Sequence, residues 1–290
     1  MYPIQLALLG AEALLMSALV LGLFRVRTIL GLSPLYIVIG GFQYLEASLS
    51  LRVEVAPGWA IYPGSSVMFT ATLLAVLLVF IKEGTAEARK FVYGLVLANI
   101  GLTIVALLVS QHMRIPGSSV PAGVTASSLQ FSARVAVVGA TLLYLDVIGI
   151  ILFYEYLGRF LRHLYPRALA ALVLTVAFDN AWFTFLVQSG RIDYLHVMWA
   201  GLLGKAAAAV FYASTLYVYL RYLEPHEATL GTGDVSDVFQ QLTYRERYEQ
   251  ARQRMTRDAL RERMDRVLTD PGTLLAEMVG EFVQRPDAGQ

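Results

Sequence analysis

For its first 222 residues the chain alternates between long apolar runs and short polar or turn-forming interruptions, and then its character changes. Apolar runs of about 20 residues match the roughly 30 Å of hydrocarbon in a bilayer at about 1.5 Å per helical residue. Read in order, they predict seven membrane-spanning helices: residues 3–24, residues 32–53, a third ending near Ile81, a fourth ending near Ser110, a fifth over residues 129–157, and two more within residues 166–222 joined by the turn 188–191. Pro57-Gly58 and Pro63-Gly64 mark turns between the second and third helices, and the charged run 82–90 reads as the loop between the third and fourth. Residues 111–128, rich in Ser, Gly and Pro, form the longest connection, which either caps a cavity or simply connects. The expected fold class is all-α, a polytopic membrane bundle of seven transmembrane helices followed by a short helical tail.

Composition supports that class. Hydrophobic residues make up 57% of the chain and charged residues 16%, outside the range of a soluble globular domain. A net charge of +1 conceals an asymmetry, because residues 223–290 are dense in Arg, Glu and Asp while residues 1–222 are mostly apolar. The domain boundary is placed at that break. Basic residues concentrate in the first, third and fifth connections (Arg25 and Arg27; Lys82, Arg89 and Lys90; Arg159, Arg162 and Arg167), so the positive-inside rule puts the N-terminus outside and the tail in the cytoplasm of a multi-pass cell-membrane protein. Aromatic residues such as Trp59, Tyr62, Tyr194, Trp199 and Tyr222 suit the interfacial belts.

Ionisable residues inside the spans are where chemistry is sought, because a charge at bilayer depth costs roughly 2.5–3.5 kcal/mol and needs a partner or a ligand. Asp179 and Lys205 occupy the last two helices at matching depth, so an ion pair between them is geometrically open. Thr175, Asp179 and Trp182 share one helical face, and Met198, Gly201, Lys205, Ala208 and Tyr212 share another whose small residues permit close approach. Either the pair locks two helices, or both groups line a polar cavity. Glu46 stands in a stripe with Gln43 and Ser50, and is either a site residue or hydrated near the interface. On the fifth helix Arg134 is near the start, where it can snorkel, whereas Asp146 lies roughly 18 Å further along the axis. Asn99, Thr103, Ala106 and Ser110 form a weaker stripe that reads as helix-packing glue.

The chain has no cysteine, which excludes disulfides and thiol catalysis, and His112, His163, His196 and His226 show no metal-ligand spacing. No metal and no cofactor is expected, and no nucleophile, base and oxyanion donors stand together as an enzyme requires. In the tail, Tyr244, Tyr248, Ala251, Met255 and Ala259 recur at near-heptad spacing, which builds either a dimerising coiled coil or a single amphipathic helix resting on the membrane or the bundle. A second small amphipathic piece, from Leu274 to Phe282, follows Pro271.

Several stretches carry a resemblance. Gly64-Ser65-Ser66-Val67, the run 84–90, Ala133-Arg134-Val135-Ala136, Phe178-Asp179-Asn180-Ala181 and the Lys205 helix are similar to segments of the queuosine-precursor transporter family, whose spans look related to the vitamin-binding S-components of energy-coupling transporters. The similarity covers roughly residues 60–222. It implies a small-molecule-binding bundle and adds Asn180 to Glu46, Arg134, Asp146, Asp179 and Lys205 as candidate ligand contacts. Arg257-Asp258-Ala259-Leu260 with Asp265-Arg266 also resembles the junction that opens a GGDEF (diguanylate cyclase) output region, which implies a truncated output with no catalytic residue. Together these readings predict membrane-embedded binding of a small polar molecule by a sensor that signals to its tail. The alternatives are an uptake transporter of the queuosine-precursor type and a noncatalytic accessory subunit of a membrane complex. Expected partners are the lipid bilayer, that small molecule, and a second copy through the tail helix or a larger membrane assembly; nucleic acid is not expected.

Overall fold

The computed structural model describes residues 2–48, 51–57, 59–116, 133–189 and 194–224, with residues 235, 238, 239 and 242. α1 (Tyr2–Arg25), the short α2 (Arg27–Leu30) and α3 (Ser33–Ser48) lead into an antiparallel hairpin of β1 (Val53–Ala56) and β2 (Trp59–Ile61). A π-helical turn over Gly64–Met68 opens α4 (Phe69–His112), and α5 (Ala133–Leu157), α6 (Leu164–Gln188) and α7 (Tyr194–Val218) follow, with a closing π-turn at Tyr219–Leu223.

The described residues are mostly helical and include five helices long and apolar enough to cross a membrane: Tyr2–Arg25, Gly64–His112, Val137–Leu157, Leu164–Val187 and Tyr194–Leu223. Two departures from the seven-helix expectation have local causes. α3 is 16 residues long and stops short of Val53, because Val53, Val55, Trp59 and Ile61 suit a pleated strand and Pro57 turns the chain after the first of them. The all-α expectation is corrected to that extent. The charged run 82–90 is not a loop either. Its Lys, Glu, Ala and Arg residues are strong helix formers, and the helix runs through them except at Gly84, whose φ of 81° and ψ of −176° break it into two arms.

The first arm of α4 is the centre of the molecule. Every residue from Phe69 to Ile81 is buried, which leaves no polar face and requires neighbours on all sides. α4 as a whole packs against α3, α5, α6, α7 and α1, and α1 also touches α3 and α7. The outer faces are apolar instead: Leu6 and Leu8 on α1, Leu97 and Ile104 on the second arm of α4, Phe185 on α6 and Leu203 on α7 are all exposed, as residues facing lipid are.

At the α5–α6 junction Arg167, expected in a polar connection, is 3% exposed. Its Nε donates to the Tyr154 carbonyl at 2.6 Å, its guanidinium lies 3.8 Å from the Tyr154 ring centroid, and Nη2 is 3.4 Å from Glu155. Gly158 makes room, since a Cβ there would stand 2.6 Å from the guanidinium. The beginning of the tail is also attached. Val238 and Leu242 are buried in the core, and the Tyr93 hydroxyl donates to the Leu242 carbonyl at 3.2 Å. The expected heptad positions from Tyr244 to Ala259, the second amphipathic piece and the residues resembling a cyclase junction lie outside the described residues.

Candidate functional site

A cavity of about 410 Å³ sits among α3, the π-turn that opens α4, α4 itself, α5, α6 and α7. α6 is the most generous contributor. Asp179, Asn180, Phe183, Thr184 and Val187 line the cavity from a strip of its surface one to four residues apart. Asp179 accepts a hydrogen bond from Lys205 Nζ, and the two residues are 7% and 4% exposed. The ion pair and the cavity are therefore not alternatives, since both partners of the pair line the cavity. Lys205 Nζ also stands 5.2 Å from the centroid of the Phe69 ring, which forms part of the same wall.

Small residues on α7 set how closely its neighbours approach. Asn180 donates from Nδ2 to the Met198 carbonyl at 2.8 Å, which leaves Oδ1 against Gly201, where a Cβ would meet it at 2.5 Å. One turn on, a Cβ at Gly204 would stand 3.0 Å from Ile61 Cγ2 and from Ser66 Oγ, so the hairpin and the π-turn seat directly on the helix. Gly64 does the same for α3, with its position 3.1 Å from Glu46 Cα.

α3 supplies Gln43 and Glu46 to the lining. Gln43 is 5% exposed and holds a short relay: its Nε2 donates to Thr72 Oγ1 at 2.9 Å and lies 3.3 Å from Glu46 Oε2, while the Thr72 hydroxyl donates to the Met68 carbonyl. Glu46 thus faces the cavity, within electrostatic range of Lys205 and Asp179. Ser50, the third member of the expected stripe, lies outside the described residues.

Asp146 is 1% exposed on α5, one turn beyond the lining residue Leu143. It lies within electrostatic range of Lys205 and Glu46 and within hydrogen-bonding reach of the Asp179 carboxyl. The backbone of Arg134 belongs to α5, but its side chain lies outside the described residues.

Three expectations change. Trp182 does not share the Asp179 surface; it is 46% exposed, with its ring near Phe178 and Phe185 on the outside of α6. Tyr62, expected in an interfacial belt, lines the cavity. Asn99 and Thr103, read as packing glue, line it from the second arm of α4, where the Thr103 hydroxyl donates back to the Asn99 carbonyl at 2.8 Å. Ser65, Ser66, Phe183 and Thr184 are among the other lining residues that sequence reasoning did not single out as contacts. A cavity with aromatic and aliphatic walls and a few convergent polar groups is the usual form of a small-molecule site. Among the described residues no group of His, Cys, Asp and Glu is arranged to hold a metal.

Residues 17–220 match the family model described as vitamin uptake-like sensor, over more than half of the chain. The chain belongs to the vitamin uptake-like sensor family. The matched span takes in the whole cavity lining, from Gln43 to Lys205. It agrees with the likeness to vitamin-uptake membrane proteins seen in the sequence, and its description is that of a sensor and uptake-like family. The match ends at residue 220, so the likeness of the tail to a GGDEF output region gains no support from it. No curated protein and no solved structure matches the chain.

Proposed function

We propose that this vitamin uptake-like sensor binds a small polar molecule in the 410 Å³ cavity and passes occupancy to its tail through the second arm of α4. The observation that carries the reading is that one helical segment serves both ends: Asn99 and Thr103 face the cavity, and Tyr93, less than two turns earlier, holds the Leu242 carbonyl. The glycine break at Gly84 separates this arm from the central buried arm, so it is the part of α4 free to pivot. Glu46, Asp146, Asp179, Asn180 and Lys205 are the proposed ligand contacts, with Arg134 at the mouth of α5, and the protein performs no chemistry on what it binds.

The same proposal includes topology. Counting α3 and the two arms of α4 as separate crossings gives seven spans, with the N-terminus outside and the tail in the cytoplasm, as the basic residues of the odd connections require. The test is purification of the full chain in detergent, followed by thermal unfolding and limited proteolysis of the tail with and without a small-molecule extract of the source cells. Stabilisation accompanied by altered cleavage after residue 242 supports sensing. Stabilisation with tail cleavage unchanged favours the uptake reading, and no stabilisation removes binding altogether.

A further inference from the structure

Resting on the reading of the cavity as a ligand site, we infer that its ligand is an uncharged ring compound whose polar edge, an amide or a hydroxyl, is held by the hydroxyl groups of Ser66 and Thr184. Both side chains line the cavity and are otherwise shut in, at 2% and 4% exposed. Neither hydroxyl has a hydrogen-bond partner among the described residues, and the same holds for the Tyr62 and Ser65 hydroxyls and the Asn99 amide of the same lining. Other hydroxyls nearby are used locally, Thr72 on the Met68 carbonyl and Thr103 on the Asn99 carbonyl. A buried hydroxyl without a partner is costly, and since it can both donate and accept, a ligand edge carrying a donor and an acceptor satisfies it.

The charged groups of the lining already answer one another. Lys205 donates to Asp179, and Glu46 is met by the Gln43 amide at 3.3 Å within electrostatic range of the same lysine. An anionic head could take Lys205 only by releasing Asp179, and a cationic head could take Asp179 only by releasing Lys205. Either exchange strands a charge of the protein at bilayer depth, whereas an uncharged head leaves the pair intact. The rest of the wall suits the body of the ligand: Phe69 and Phe183, with Leu143, Val187 and Val197, offer flat and aliphatic surface to a ring.

Three probes of one shape separate the possibilities: 2-naphthamide, 2-naphthoate and 2-naphthamidinium share a ring system and differ in the charge of the head. With the full-length chain in detergent at pH 7, calorimetry should give a Kd for the amide at least about tenfold below those of both charged probes. Thr184→Val and Ser66→Ala should each raise the amide's Kd by about threefold to tenfold, the worth of one neutral hydrogen bond. Thr141→Val, which removes an exposed hydroxyl bonded to the Val137 carbonyl on α5, should leave it unchanged. Two hydroxyl variants are specified because either could fold poorly, and the unliganded melting midpoint of each shows whether it does. A charged probe binding as tightly as the amide overturns the uncharged head and leaves the cavity a binding site. An amide preference that survives both folded hydroxyl variants overturns the assignment to Ser66 and Thr184. If the cell extract stabilises the protein but none of the three probes binds, the ring class is overturned, and if extract and probes all fail, the proposed function falls with it.

Discussion

Arg27 Nη2 lies 2.5 Å from Glu224 Oε1 and so joins the connection after α1 to the residue at which the last helix ends. The same guanidinium reaches Glu83 through Nε at 2.5 Å, Lys82 Nζ stands 3.7 Å from Glu224, and Arg25 donates to the Leu223 carbonyl at 3.0 Å. Three chain segments far apart in sequence are therefore gathered next to the Gly84 break and at the root of the tail.

This clamp titrates. Burial alone would raise the Glu224 carboxyl, but the hydrogen bond from the Tyr219 hydroxyl and the charges of Arg27 and Lys82 outweigh it and hold the group below its ordinary value. A carboxyl lowered on folding contributes stability that is present in full above its unfolded value, near 4.5, and that is lost as pH falls through the folded value. The melting midpoint of the wild type should exceed that of Glu224→Gln at pH 7, by an amount equivalent to about 1 kcal/mol, and the gap should narrow steadily as pH falls below 4.5. A gap that is constant with pH would show that the side chain acts through packing alone.

The Asp179–Lys205 pair calls for a double-mutant cycle. Removing either partner alone strands the other at a site less than 10% exposed, which typically costs about 3–5 kcal/mol. Asp179→Leu combined with Lys205→Leu should recover much of that loss in thermal unfolding and yet remain unable to bind ligand, because both residues line the cavity. Single variants as stable as the wild type would mean that water in the cavity already solvates each charge.

Gly201→Ala tests the fit of α7 to α6. Its new methyl group would fall 2.5 Å from Asn180 Oδ1, so the amide must turn and give up its bond to the Met198 carbonyl or the helices must part. The expected result is a loss of about 1–3 kcal/mol in stability, with weakened binding of any cavity ligand. Unaltered affinity would show that Asn180 is not a contact.

Gly84→Ala probes the break in α4. The backbone there has φ 81° and ψ −176°, a region essentially closed to residues with a Cβ, so the change should cost about 1–3 kcal/mol or straighten the helix. Protease protection of the tail near Leu242 is the informative readout, since straightening α4 would displace Tyr93.

How far the sequence discloses this site depends on the residue. Asp179 and Lys205 are rare residue types at equal depth in neighbouring apolar helices, and that rarity is enough to bring them together on paper as they are in the fold. Asn99, Thr103 and Tyr62 carry no such signal, because weakly polar residues serve helix packing and interfaces as often as they serve cavities. Trp182 shows the limit of helical spacing. Positions i+3 and i+4 bracket a neighbour's face from opposite sides, and here the cavity lies on the Phe183 side of Asp179, which turns Trp182 outward. The hairpin was obscured because a run of Val and Leu reads equally as a helix end or a strand until its partner strand is known. In the sequence Gly84 reads as part of a loop, since one glycine among charged residues gives no indication that the helix resumes beyond it.

The central arm of α4 has a different relation to its surroundings from every other apolar segment of the chain. The outer helices answer to lipid, a solvent that asks only for apolarity and accepts Leu, Ile, Val or Phe almost interchangeably. Residues 69–81 are buried without exception and answer to the shapes of the protein packed around them. In a library of random apolar exchanges, Leu97 or Leu203 should therefore tolerate nearly any replacement, while Ala71 and Ala75, both fully buried, should tolerate almost none, so that two stretches of identical hydropathy drift at very different speeds.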